Sequence, residues 1–158
     1  MINLLELGAA VVVVDFVTVL LSKFFNLGKS LDAWYAKFGL LAILSDCLII
    51  VLGIQLALLI DPKAGVFHLL LMAVCIQIFH DMWFYFFVVQ PLPRGQNEII
   101  DLFKDYSAEN SYKIVIADTL MVSSTVLLAH YFQKLNEQVV AFVGLLGTYA
   151  LTYIIYTH

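Results

Sequence analysis

Five long apolar runs separated by polar stretches organise the chain, at about residues 5–25, 38–60, 66–90, 112–133 and 138–156. Each is close to the ~20 residues that an α-helix needs to cross a ~30 Å hydrocarbon core. The pattern predicts an all-α, polytopic integral membrane protein, a single transmembrane domain over 1–158 with five spanning helices. The turns "DPKAG" (61–65) and "KLNEQ" (134–138) read as tight connections between antiparallel helices. The other two connections, "NLGKSLDAWYAKFG" (26–39) and "QPLPRGQNEIIDLFKDYSAENSY" (90–112), are longer and amphipathic. In the second, Pro91 and Pro93 end the third run, because proline lacks the N–H that a helix interior uses and restrains the residue before it. Asn97 then reads as an N-cap, with Glu98 and Asp101 in the first turn, where the helix dipole favours acids. Ile99, Ile100, Phe103 and Tyr106 recur at helical spacing between charges, predicting a short interfacial helix near 97–107.

Composition strengthens the membrane reading. The hydrophobic share is 63%, against roughly 45–50% for a soluble domain. The first run has no basic n-region and carries Glu6 and Asp15, so it is expected to stay as a helix and not to act as a signal peptide. Net charge is −4 with no basic patch, which excludes nucleic acid as a partner and leaves the lipid bilayer as the expected surroundings. Lys23, Lys29, Lys37, Arg94, Lys104 and Lys113 flank the first and third connections, whereas only Lys63 and Lys134 lie on the opposite side. That asymmetry predicts an external N-terminus and a cytoplasmic C-terminus.

The two halves of the chain echo each other. "ILSDCLII" (43–50) aligns without a gap on "VIADTLMV" (115–122). Each segment follows an amphipathic connection that starts near a glycine (Gly28, Gly95), and each connection follows a run carrying an aspartate (Asp15, Asp81). The expectation is a parallel repeat, with helices 1–2 matching helices 3–4 and the fifth added, as in transporters built from repeats.

The intramembrane aspartates are the candidate chemistry. An ionisable side chain at a helix centre costs about 2.5–3.5 kcal/mol on insertion scales, so its presence calls for a compensating role. Counted from the predicted cytoplasmic face, Asp15, Asp46, Asp81 and Asp118 fall at depths of roughly 9–15 Å. His80 lies in the same layer beside Asp81, and Gln77 sits one turn before it. Asp15 shares a stripe with Thr18 and Ser22, Asp46 with Gly39, Ala42, Gly53 and Ala57, and Asp118 with Thr125 and Ala129. Such stripes face other helices, where small residues let backbones approach. Four close carboxylates cannot all remain ionised without a counter-charge, so they are expected to hold protons or a cation. Asp46, Asp81, Asp118 and His80 are the candidate ligands if that cation is divalent: hard oxygen donors suit Ca²⁺, Mg²⁺ or Mn²⁺, and His80 admits a softer metal.

Three functions fit this pattern. The leading one is a small channel or transporter for protons or cations, with Asp15, Asp46, Asp81, Asp118, His80 and Gln77 as its site. The second is a structural or scaffolding membrane protein whose aspartates join helices through Thr18, Ser45, Gln77 and tyrosine partners. The third is a metal-dependent intramembrane enzyme, although HExxH, GxSxG, CxxC and phosphate-loop motifs are all missing. His68, His130 and His158 fall at other depths and read as packed or interfacial residues, and Cys47 and Cys75 as small packing residues. Trp34, Tyr35, Trp83, Tyr85, Tyr112 and Tyr131 sit near span ends, where an interfacial aromatic belt is expected. Gly144, Gly147 and Ala150 form a small-residue face on the fifth run that predicts a contact surface for a homo-oligomer.

The run "HDMWFYFFVVQPLPRGQNEIIDLFKDYSAENSYKIVIADTLMV" (80–122) resembles small, uncharacterised multi-pass membrane proteins encoded by large DNA viruses of algae. Those proteins share a Pro-Arg-Gly/Lys-x-Asn loop, an acidic amphipathic helix and a following Asp-x-Leu/Met span. The resemblance implies a multi-pass protein of a host or virion membrane and assigns no chemistry to any residue.

Overall fold

A computed structural model describes residues 2–25 and 27–157; Met1, Asn26 and His158 lie outside the described residues. It contains seven α-helices: α1 (Leu4–Phe25), α2 (Lys29–Phe38), α3 (Leu40–Ile60), α4 (Val66–Phe84), α5 (Glu98–Asn110), α6 (Tyr112–Phe132) and α7 (Glu137–Ile154). A π-helical turn, Tyr85–Val89, continues α4 up to Gln90 and Pro91. Among the described residues there is no β-strand. Helices α1, α3, α4 with its π-turn, α6 and α7 are each long and apolar enough to cross a membrane. Large apolar side chains such as Leu59, Phe67 and Leu145 stand outward on them, a surface that water would not favour.

Local chemistry sets the helix ends. Asn3 and Glu6 form a reciprocal capping box at the start of α1, with N–H···O distances of 2.8 and 2.9 Å. Asn97 accepts from Ile99 and Ile100 at the start of α5, and Asn136 accepts from Gln138 at the start of α7. Helix α2 is different, because Gly28 offers no capping side chain. Its first N–H groups, on Lys29 and Ser30, donate instead to the Glu109 carboxylate of α5 at 2.9 and 2.8 Å.

The second and fourth spans open on the same unusual backbone. Gly39 joins α2 to α3 with φ 53° and ψ −126°, and Ser111 joins α5 to α6 with φ 47° and ψ −125°. The break at Gly39 closes the amphipathic α2 at Phe38 and starts the apolar helix at Leu40, two residues inside the expected start of the second span. In both junctions the residue with positive φ donates its N–H four residues back, to Tyr35 O and to Ser107 O.

Helix α1 is the most enclosed element. It packs against α3, α6 and α7, and buries Leu7, Ala10, Val11, Asp15, Val19 and Ser22. The close approach of α7 depends on glycine. A Cβ at Gly144 would lie 3.1 Å from Ala9 Cβ, and one at Gly147 would lie 2.9 Å from Val12 Cγ1. The small-residue face expected to meet a second copy is therefore filled by α1 of the same chain. Helix α4 packs only on α3 and α6 among the apolar helices and buries just Leu69, Ala73 and Gln77.

Helices α2 and α5 lie side by side and antiparallel across one end of the bundle. Glu109, near the end of α5, caps the start of α2, while Lys37, near the end of α2, pairs with Glu98 at the start of α5 (3.2 Å). Trp34 packs on Phe103 between them, with ring centroids 5.0 Å apart. Arg94 pairs with Asp105 (2.7 Å), and Asp101 accepts from the Gly95 N–H, which fastens the loop before α5.

Candidate functional site

Beneath this paired roof the bundle encloses a cavity of about 660 Å³. Asp46 of α3, Asp81 of α4 and Asp118 of α6 all line it, together with Gln77 and His80. Each carboxyl group arrives there for a local reason. The positive-φ junctions start α3 and α6 at the same distance before their aspartates (39 to 46, 111 to 118), which sets Asp46 and Asp118 at one level. Asp81 is held one helical turn from Gln77, whose Nε2–H donates to Asp81 Oδ1 at 2.7 Å.

Asp81 is also the crowded member. His80 Nδ1 lies 3.2 Å from Asp81 Oδ1, and the imidazole stacks on Phe84 with centroids 5.7 Å apart. The second oxygen, Asp81 Oδ2, is buried without a hydrogen-bond partner. The Asp118 carboxyl group of α6 lies near Asp81 across the cavity wall. Asp46 receives the Trp34 indole N–H at 3.1 Å.

Asp15 does not join the cavity wall. It is wholly buried on α1, and neither of its oxygens has a hydrogen-bond partner; the nearby polar group is the Cys47 thiol of α3, outside hydrogen-bond geometry. The four acids predicted in one layer are therefore placed as three around a cavity and one sealed behind it. Ser22, on the same buried stripe of α1, likewise lacks a partner.

The hydrogen bonds expected of aspartates that tie helices together are mostly not made. Thr18 and Thr125 donate back to Val14 O and Met121 O of their own helices, and Ser45 is exposed. Gln77 and His80 share a helix with Asp81. Trp34 to Asp46 is the one recorded aspartate hydrogen bond that joins two helices among the described residues. No set of three or more His, Cys, Asp or Glu side chains among the described residues could hold a metal ion, so Asp46, Asp81, Asp118 and His80 do not form a divalent-cation cage.

The remaining histidines and aromatics sort by environment. His68 lies 3.4 Å from Asp61, and His130 lies 3.0 Å from Gln133 Oε1, both away from the acids. Trp83, Tyr112 and Tyr131 are exposed near helix ends, as an interfacial belt requires. Trp34 and Tyr35 depart from that expectation, being 5% and 2% exposed and turned into the cavity wall. Their partner across the roof is Tyr106, which the sequence pattern marks only as apolar spacing on α5. Burial, with Asp46 next in effect, holds the Tyr35 hydroxyl well above the usual phenol range; burial and Asp118 do the same for Tyr106. Both therefore stay as neutral O–H groups above the acids.

No protein-family model matches this chain, and comparison with curated proteins and with solved structures gave no match.

Proposed function

We propose that the chain is a small integral membrane transporter or channel that handles protons or cations through the acidic cavity. The observation that carries this reading is the convergence of Asp46, Asp81 and Asp118, from three separate helices, on one cavity with few hydrogen bonds to occupy them. Carboxyl groups gathered in a bundle of low polarity need protons or a cationic occupant for charge balance. Gln77 and His80 hold Asp81 through Oδ1, and Oδ2 is left without a hydrogen bond.

The cavity lies on the side that carries Lys23, Lys29, Lys37, Arg94, Lys104 and Lys113. With the positive-inside rule, that side is cytoplasmic, the N-terminus is outside, and α2 and α5 lie at the inner membrane surface. We read the membrane as a host or virion one, which rests on the resemblance of residues 80–122 to algal-virus membrane proteins. We read α1–α2–α3 and α4–α5–α6 as parallel repeats with α7 added. The matched backbones at Gly39 and Ser111 support this, as does the packing: α1 and α4 each contact both α3 and α6. A homo-oligomer would use a face other than Gly144 and Gly147.

The scaffold reading rests on the Trp34–Asp46 hydrogen bond. The two separate in proteoliposomes loaded with a pH dye or a divalent-cation dye. Wild-type protein is expected to pass protons or cations, and Asp46→Asn is expected to fold, keep an acceptor for Trp34, and lose that flux. Wild-type vesicles as tight as protein-free ones would leave the scaffold.

A further inference from the structure

The size and walls of the cavity bear on what it takes, given the cation-handling role proposed above. A bare inorganic ion needs close oxygen ligands on several sides, and the three acids offer no such cage. The space of about 660 Å³ is instead that of a small-molecule site, with apolar and aromatic walls from Trp34, Phe84, Phe103 and Tyr106 around a few acids. Aromatic faces beside carboxylates suit an organic ammonium group, which gains both charge pairing and cation–π attraction.

A second, separate space indicates where the rest of such a molecule would go. An apolar groove of about 450 Å³ runs between α1 and α6, lined by Val13, Val17, Leu21, Leu120, Ser124 and Leu128. Thr18, Leu27, Ala117 and Met121 line both spaces, so the groove and the acidic cavity share a wall. Val17, Leu21 and Leu120 are among the exposed apolar side chains, so the groove is open along the apolar flank of the bundle. We propose that the ligand is a long-chain ammonium amphiphile, its charged head among Asp46, Asp81 and Asp118 and its alkyl tail in the α1–α6 groove, entering sideways from the bilayer. The shared wall fits this occupant better than a hydrated metal ion, which has no use for an apolar annex.

The sequence holds two tryptophans, so Trp83→Phe leaves Trp34, in the cavity wall, as the sole indole reporter. Full-length protein in neutral phosphatidylcholine nanodiscs would be titrated with dodecylamine, butylamine, dodecanol and dodecyl sulfate. The expected result is a saturable change in Trp34 fluorescence with the two amines, and none with the alcohol or the sulfate. Ala117→Phe, at the shared wall, should weaken dodecylamine about tenfold and leave butylamine unchanged. Ser124→Phe, further along the groove, gives the same discrimination if the first variant fails to fold. Asp118→Asn should weaken both amines. Equal responses to dodecanol or dodecyl sulfate, or a dodecylamine curve indifferent to both groove variants, would overturn the proposal. Proton or inorganic-cation flux in vesicles without amine selectivity would leave the transport role and remove this ligand. Amine selectivity without any flux would do the reverse.

Discussion

Helices α1 and α4 each carry one aspartate and each lean on both α3 and α6, yet their acids live in opposite circumstances. Asp15 is sealed among apolar neighbours with no hydrogen bond, while Asp81 lies at the cavity wall with Asp118, and Gln77 and His80 meet one of its oxygens. The difference comes from what lies behind each helix. Helix α7 closes over α1 through Gly144 and Gly147, whereas no such helix covers α4, whose far side is left to its surroundings. Similar helices with similar acids therefore diverge by one packing partner: burial on every side makes Asp15 a stored polar group, and a cavity makes Asp81 available to an occupant.

The largest expected effect comes from breaking that enclosure. Gly147→Leu must push aside Val12, because even a Cβ would sit 2.9 Å from it, so thermal unfolding in detergent should show a loss of about 1–3 kcal/mol. Cys75→Leu, on the exposed side of α4, should stay within about 0.5 kcal/mol of wild type. Similar losses at both positions would mean that α1 and α4 are not differently packed.

A smaller pair of effects, of opposite sign, is expected at the two junctions. Gly39→Ala forces a side chain into a positive-φ conformation and against Tyr156 Oη, and should destabilise by about 1–2 kcal/mol. Ser111→Gly relieves the same conformation and should raise the melting temperature, with a gain of up to about 1 kcal/mol. Two losses, or two neutral results, would show that the matched backbones carry no matched strain.

The five apolar helices were legible because length and hydropathy alone define them: 5–25 became Leu4–Phe25, and 112–133 became Tyr112–Phe132. The interfacial helix was legible from Asn97, a local cap, although it runs three residues beyond its expected end, to Asn110. Helix α2 is harder to read, because its cap, Glu109, is 80 residues away in sequence and only tertiary packing brings it there. Ser111 gives no glycine signal for its positive φ; only its register with Gly39 marks it. The expected shared layer of four acids kept Asp46, Asp81 and Asp118 and set Asp15 apart, since depth along a helix is readable from sequence but its full set of neighbours is not. Trp34 was masked by its place at a helix end, where an interfacial role is the ordinary one.

The smallest expected effect concerns the roof. Hydrogen bonds from Ser30 and Lys29 hold Glu109 below its usual value of 4.5. A lowered folded-state value means that its contribution to docking α2 on α5 is complete above the ordinary glutamate range and fades as pH falls through the lowered value. Hydrogen exchange at the first amides of α2 should therefore quicken in acid, and Glu109→Gln should show the faster rate at neutral pH as well. Exchange indifferent to pH and to the substitution would mean that the cap does not hold the roof.

On the proposed reading, the acids of the cavity, and not the sealed one, carry the cation. Proteoliposomes bearing Asp15→Asn or Asp118→Asn at equal protein content measure it directly by proton or cation flux against wild type. The account predicts that Asp118→Asn abolishes flux while Asp15→Asn keeps most of it. Loss with Asp15→Asn together with retention in Asp118→Asn would contradict it.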